Sequence, residues 1–205
     1  MPSNDLTGNV IEPELGRHIL SEMADLNADF IELITRTDTS HCWRSLPDKH
    51  LDQLRALSKP AIGRLTRCAF ALFDLRLQDA KLWHALRDCA SPKALLVEDI
   101  SNEPKTRGRI SFFTLSALMY LRHLTDINFF FAKLSFGATP SAIDVVCNLP
   151  LNRLREIADQ YPALLRSRFG QHPEAWTELL TMARRNDTEP MLPAKILGYQ
   201  HLYQE

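Results

Sequence analysis

One stretch constrains this chain more than any other: residues 134–160, LSFGATPSAIDVVCNLPLNRLREIADQ. Its pattern predicts two short helices with a tight break at Asn148, because the short polar side chain of Asn tolerates a left-handed backbone. Apolar residues recur at the spacing by which a helix-turn-helix buries its inner faces against each other. These residues are Ile143, Cys147, Leu149, Leu154 and Ile157. The same pattern also fits an ordinary helical hairpin with a solvated face.

The first short helix has the sequence signals of a helix start. Thr139 is the expected N-cap and Pro140 the first helical residue.

The second helix is expected to present Asn152, Arg153 and Arg155 outward. Asn and Arg are side chains that hydrogen-bond adenine and guanine edges or hold phosphates. These three residues are therefore the candidate DNA-reading residues.

Charge is unevenly distributed along the 205 residues, although the net charge of -1 argues neither for nor against nucleic-acid binding. Residues 1–60 carry 6 basic and 10 acidic side chains, whereas residues 61–125 carry 10 basic and 6 acidic ones. The basic middle holds the sequence KTRGR, whose Lys105, Arg107 and Arg109 are candidates for phosphate contacts. A solvated linker is the alternative interpretation of this segment.

Cysteine usage and short motifs argue against a metal site and against an enzyme. The four cysteines, Cys42, Cys68, Cys89 and Cys147, form no CxxC pair, so buried free thiols in a reducing compartment are expected. No phosphate-binding glycine loop, GxSxG or HExxH sequence is present, and the histidines are scattered. We therefore expect no catalytic, metal or cofactor site.

The start of the chain indicates no export signal. It is acidic and lacks an apolar core, and no apolar run approaches the ~20 residues of a membrane span. The sequence thus predicts a cytoplasmic protein.

Apolar periodicity predicts an all-α fold with a short β-strand near 73–77. We expect a flexible tail (1–13), a helical half (14–90), a connector (91–109), a second helical half (110–185) and a C-terminal tail (186–205). Helices are expected over 14–36, 48–57, 80–89, 110–136 and 173–185. Ser58 and Pro60 should begin another helix, and Gly137 should end the long one.

The two halves repeat one order of elements. DLNADFIELI corresponds to LTDINFFFAKL, and LRLQDAKLWHAL corresponds to GQHPEAWTELL. Between them, LPDKHLDQLRALSKPAIGRL corresponds to LPLNRLREIADQYPALL. Each half is thus expected to consist of a long helix, short helices with a helix-turn-helix-like hairpin, and a helix that carries Trp.

The helix predicted over 110–136 is apolar on nearly all sides, which is typical of helices buried on several sides or in an oligomer interface. Its phenylalanines exceed what one small core easily hides, and we expect an oligomer. The predicted interface residues are Phe112, Phe113, Phe129, Phe130 and Phe131. The alternative is that the N-terminal helix covers them within one chain.

Several of these segments resemble a known family. Residues 126–128 (DIN), the turn at 136–138 (FGA) and the two short helices after it resemble the N-terminal helical part of FlhC and FlhD, the subunits of the bacterial flagellar master activator. Residues 54–86 resemble FlhD more closely. The chain is also similar to an uncharacterised domain family of integrative conjugative elements and plasmids, whose members pair with a second regulator. The resemblance covers residues 18–185, but the zinc-binding cysteine cluster of FlhC is absent.

The resemblance implies a DNA-binding transcriptional activator subunit in a hetero-oligomeric FlhDC-like complex that activates flagellar or conjugative-element genes. Its implied partners are double-stranded promoter DNA, a second FlhC/FlhD-type subunit and RNA polymerase. The alternative hypothesis is a protein-interaction scaffold that does not touch DNA and partners a DNA-reading regulator.

Overall fold

A computed structural model describes residues 13–36, 46–88 and 104–185 of the chain. These ranges are mostly helical with one small sheet, which confirms the predicted fold class. The expectations for residues 1–12, Cys42, Cys89 and the tail 186–205 lie outside the described residues.

The elements are α1 (Pro13–Arg36), α2 (Asp48–Arg55), α3 (Lys59–Thr66), β1 (Phe73–Asp74), α4 (Ala80–Arg87), α5 (Pro104–Ile127), α6 (Phe129–Phe136), α7 (Pro140–Asn148), α8 (Leu151–Gln160), β2 (Arg166–Ser167) and α9 (Pro173–Arg184).

Helix ends follow the expected capping chemistry. The Ser58 side chain accepts a hydrogen bond from the Ala61 amide at the start of α3, as predicted. Thr139 does the same for α7, with Pro140 at its first position. Gly137 ends α6 in the left-handed conformation, with φ 63°.

The predicted long helix over 110–136 differs in two ways. It begins earlier, at Pro104, so KTRGR forms the first turns of α5 and is no part of a connector. It also breaks at Asn128, which is extended (φ -156°, ψ 104°) and caps α6 by accepting from the Phe131 amide at 2.8 Å. A capping side chain offers the backbone an alternative to the continuing helix. Here the Asn128 cap ends α5 and begins α6.

The short strand predicted near 73–77 is confirmed as β1, and its partner is β2 from the other half. The strands pair antiparallel, with Phe73 opposite Ser167 and Asp74 opposite Arg166. Just beyond each strand, one non-glycine residue has a positive φ: Arg76 at 54° and Phe169 at 59°. The two halves thus meet through matching strands and matching turns.

The two predicted halves repeat one order of α-helices and strands, with an additional 3-10 helix (Pro162–Leu164) before the strand of the second half. The order α1, α2, α3, β1, α4 is repeated as α5 with α6, then α7, α8, β2 and α9. Trp83 in α4 and Trp176 in α9 are both completely buried. The sequence match of Pro47 with Pro150 is coincidental, because Pro47 precedes α2, whereas Pro150 precedes α8, the counterpart of α3.

The halves exchange their Trp-bearing helices. Helix α4 packs against α7 of the second half, and α9 packs against α2 and α3 of the first half. The residue after each Trp makes the matching contact. His84 Nε2 lies 2.8 Å from Ser141 Oγ, and Thr177 Oγ1 lies 3.0 Å from His50 Nε2. One hydrophobic core therefore contains residues of both halves.

Aromatic rings fill the centre of this core. Phe73 contacts Phe113 edge-on at 4.9 Å between centroids, and lies 5.7 Å from Phe30 and 5.9 Å from Phe136. Phe113 was predicted to face a partner, but it is only 5% exposed and most of its ring belongs to this cluster. The covering of Phe113 by Phe30 of α1, at 5.9 Å, is the arrangement that the alternative interpretation expected.

Two features are absent from the described ranges. No single helix there is both long and apolar enough to cross a membrane, and α6 with α7 meets the length and composition criterion only as a pair bent by 108°. No group of three or more His, Cys, Asp or Glu side chains in the same ranges could hold a metal ion.

Candidate nucleic-acid interface

The break between α7 and α8 is not the predicted left-handed Asn148. Asn148 is the last helical residue of α7, and the break is made by Leu149 and Pro150, both extended. A proline disfavours the helical conformation of the residue before it, which accounts for Leu149. The Asn148 side chain instead donates to the carbonyl and carboxylate of Asp144 at 2.8 and 2.9 Å.

Helix α8 lies antiparallel on α5 and is fixed at both ends. At its start, Arg122 Nη1 donates to the carbonyl of Leu149 at 3.0 Å. At its end, Arg107 donates to the carbonyl of Asp159 at 3.1 Å and the Ser111 hydroxyl to its carboxylate. Both α7 and α8 pack more extensively against α5 than against each other.

The inward-facing residues of α8 include the two that the sequence predicted, and Ala158 is buried beside them. Leu154 and Ile157 are completely buried, and Ile143 and Leu149 join them in the core. Cys147 is half-buried, and burial is the main cause that raises the pKa of its thiol.

Two of the three candidate reading residues lie on the exposed face of α8. Asn152 and Arg155 are exposed, one helical turn apart, and within the described ranges neither makes a hydrogen bond or an ion pair. Arg153 is different: its side chain is 18% exposed. Its Nη2 donates to the carbonyl of Leu86 at 2.9 Å, and its Nη1 lies 2.9 Å from Glu156 Oε2.

The outward orientation predicted for Arg153 is therefore wrong. The physical reason is the neighbouring end of α4. The last carbonyls of a helix have no donor within the helix and take one from elsewhere. Arg153 supplies that donor across the two halves.

The three basic residues of KTRGR do not form one cluster. Lys105 and Arg109, four residues apart on α5, both line a groove towards α1, whereas Arg107 bonds to α8. Arg109 Nη2 lies 3.7 Å from Glu32, with both side chains more than two-fifths exposed. Only Arg107 thus lies beside the candidate reading helix.

Acidic groups reduce the positive potential around α8. Asp144, Glu156 and Asp159 are exposed on α7 and α8, where Arg155 is the exposed cation. The described residues of this face therefore form no basic surface over many phosphates, and base-edge contacts by Asn152 and Arg155 would contribute most of any DNA recognition by them.

Sequence reasoning missed the residues that fix α8 and α4. Arg122 and Ser111 are polar positions in a helix that otherwise reads as apolar, which indicated a polar contact within the fold. Arg64 was also missed, although the sequence GRL at 63–65 matches NRL at 152–154. That repeated Arg-Leu pair was the available indication that Arg153 has a structural counterpart.

Comparisons with models of protein families, with curated protein sequences and with solved structures find no match to this chain.

Proposed function

We propose that this chain is a cytoplasmic DNA-contacting subunit of a transcriptional activator, with α8 as the reading helix. The observation that carries the proposal is the pair Asn152 and Arg155. Both are exposed on one face of a helix and neither has a partner in the described part of the chain. Free amide and guanidinium groups at this spacing suit contacts to adjacent bases in a major groove.

The attachment of α8 supports this role. Bonds from Arg122, Ser111 and Arg107 hold both of its ends on α5. A helix fixed in this way holds the backbone of its outer residues in place before DNA binds, so less backbone entropy is lost on binding.

Of the two corresponding helices in the described ranges, α8 carries this chemistry and α3 does not. Arg64 and Leu65 of α3 match Arg153 and Leu154 of α8, which places Gly63 and Thr66 at the positions of Asn152 and Arg155. Gly63 has no side chain to read a base and Thr66 is buried. One chain would thus offer one reading helix.

Few phosphate contacts accompany this helix, so additional affinity has to come from other subunits. The resemblance to FlhC and FlhD supports a hetero-oligomer with a second regulator of that type on promoter DNA, acting on RNA polymerase. Flagellar or conjugative-element genes are the regulated genes that the resemblance favours.

The second candidate function is a scaffold that partners a DNA-reading regulator without touching DNA. Phe112 and Phe130 favour it, because each is 74% exposed. Large aromatic side chains at this exposure are enriched where proteins meet.

Selection from a random duplex pool distinguishes the two candidates. The full chain is purified with any protein that binds it in the native cell, and enriched duplexes are titrated at several salt concentrations. We expect a common sequence to be enriched, with a shallow log–log salt slope of about -1 to -3. If no sequence is enriched and the pool binds no better than competitor DNA, the result favours the scaffold function.

A further inference from the structure

One face of α5 carries an exposed stripe whose spacing alternates between four and three residues. We call it the α5 stripe. It consists of Lys105, Arg109, Phe112, Ser116, Met119, His123 and Asp126. This spacing is the seam by which two helices pack side by side.

The centre of the α5 stripe is apolar. Phe112 is 74% exposed and Met119 is 39% exposed, with Ser116 between them. Leaving a large aromatic ring in water forgoes most of the free energy that its burial would supply, so such a residue beside a second apolar one indicates a contact surface.

The ends of the α5 stripe differ in charge. Lys105 and Arg109 precede the apolar centre, whereas the carboxylate of Asp126 follows it, one turn after His123. Two such stripes running in opposite directions bring the cations of each to the carboxylate end of the other. Parallel stripes would instead place like charges together.

We propose that the α5 stripe binds the same stripe of a second copy of this chain, antiparallel and related by a two-fold axis at Ser116. Phe112 then lies opposite Met119 of the second copy, and Lys105 and Arg109 lie opposite Asp126 and His123 of the second copy. A two-fold contact of this kind is self-complementary, so every favourable pair occurs twice.

A groove beside the stripe accommodates the incoming side chain. It has a volume of about 390 Å³ and lies between α1 and α5. Leu33 and Phe113 form apolar parts of its wall, beside the carboxylates of Asp29 and Glu32. Gly108 leaves open space there, because a methyl group built on it meets nothing within 4 Å. Met119 of the second copy, unbranched and adaptable, fits such an irregular space.

The existing ion pair of Arg109 does not oppose this contact. Arg109 and Glu32 are 3.7 Å apart and both are well exposed, and such pairs contribute little to stability. Lys105 has no partner in the described part of the chain. The proposal does not depend on DNA contact by α8, whose exposed residues lie on another helix.

The first test is sedimentation of the full chain with the variants Phe112→Asp and Met119→Asp. We expect a concentration-dependent dimer of the parent, with a dissociation constant raised about tenfold or more by each variant. Leu151→Asp is the matched control, because Leu151 is also an exposed apolar residue but lies on α8. A parent that stays monomeric, or a dimer that neither variant weakens, overturns the proposal.

Charge reversal tests the antiparallel direction. Lys105→Glu with Arg109→Glu should weaken the dimer, and so should His123→Lys with Asp126→Lys. A mixture of the two reversed chains should restore it, since each reversed end then meets its complement. Failure of the mixture to associate overturns the antiparallel pairing.

A monomer destabilised by Phe112→Asp would show that another segment, such as residues 186–205, covers the stripe.

Discussion

Arg64 and Arg153 make the same contact in the two halves of the chain. Arg64 Nε donates to the carbonyl of Ala183 at 3.0 Å, in the last turn of α9. Arg153 Nη2 donates to the carbonyl of Leu86 at 2.9 Å, in the last turn of α4. Each arginine thus caps the Trp-bearing helix that the other half contributes, and the pair holds the exchanged helices in place.

Removing either arginine should therefore destabilise the whole chain. We expect Arg64→Ala and Arg153→Ala each to lower the free energy of unfolding by about 1.5–3 kcal/mol, the usual range for a hydrogen bond from a charged group. Urea unfolding measures both. Arg155→Ala, on the exposed face of α8, is the control and should change stability by less than about 0.5 kcal/mol. Loss of stability in Arg155→Ala alone would contradict this assignment.

Gly137 and Arg168 give a second prediction. The guanidinium of Arg168 donates to the carbonyls of Ala71 and Ser135 at 3.2 and 2.6 Å and lies directly under Gly137. A Cβ on Gly137 would stand 2.5 Å from Nη2 of Arg168, at a φ of +63°. Gly137→Ala should thus cost at least about 1–2 kcal/mol of stability in thermal or urea unfolding.

The matched control for that substitution is Gly63→Ala. Gly63 lies within helix α3, and a Cβ there meets nothing within 4 Å. Alanine favours a helix over glycine by about 0.5–1 kcal/mol, so this variant should be more stable than the parent. Equal effects of the two substitutions would show that Arg168 and the backbone angle do not restrict position 137.

Leu154 gives a prediction about the core beneath α8. It is completely buried, so Leu154→Ala empties a core site and should cost about 2–5 kcal/mol. Chemical unfolding monitored by circular dichroism measures the loss. A variant as stable as the parent would place α8 outside the folded core.

Cys68 predicts a specific alkaline dependence of stability. Burial raises the pKa of its thiol from 9.0 to about 12, opposed by the charge of Arg168. Because the folded chain holds this proton more tightly than the unfolded chain, its contribution is complete below pH 9.0 and is lost as the pH rises towards 12. The parent should lose up to about 1.4 kcal/mol per pH unit relative to Cys68→Ala in this window. Parallel stability curves of the two proteins would exclude this contribution.

Local rules predicted the fold well where one residue decides the backbone. Thr139 and Ser58 cap the helices that they were expected to begin, and Gly137 ends the helix that it was expected to end. The prediction of a left-handed break at Asn148 was wrong, because Pro150 disfavours the helical conformation at Leu149 and so ends α7 there. A left-handed residue was unnecessary once the proline was in place.

Predictions failed where the outcome depends on distant partners. The pattern of α8 alone predicts that Arg153 faces outward. In the structure, α4 of the other half packs beside it, and Arg153 donates a hydrogen bond to the end of that helix. The sequence pattern predicts Phe113 at a surface, but in the structure Phe30 and Phe73 enclose its ring. Both contacts join residues of the two halves, and no local pattern encodes how the halves pack against each other.

The exposed face of α8 carries the proposed DNA contact. The most direct measurement is a fluorescence anisotropy titration of the selected duplex with the parent, Asn152→Ala, Arg155→Ala and the control Gln160→Ala. Gln160 is exposed at the far end of the same helix. If Asn152 and Arg155 contact base edges, each of their variants binds about 1–3 kcal/mol more weakly and the control binds like the parent. If both variants bind like the parent, α8 does not read DNA.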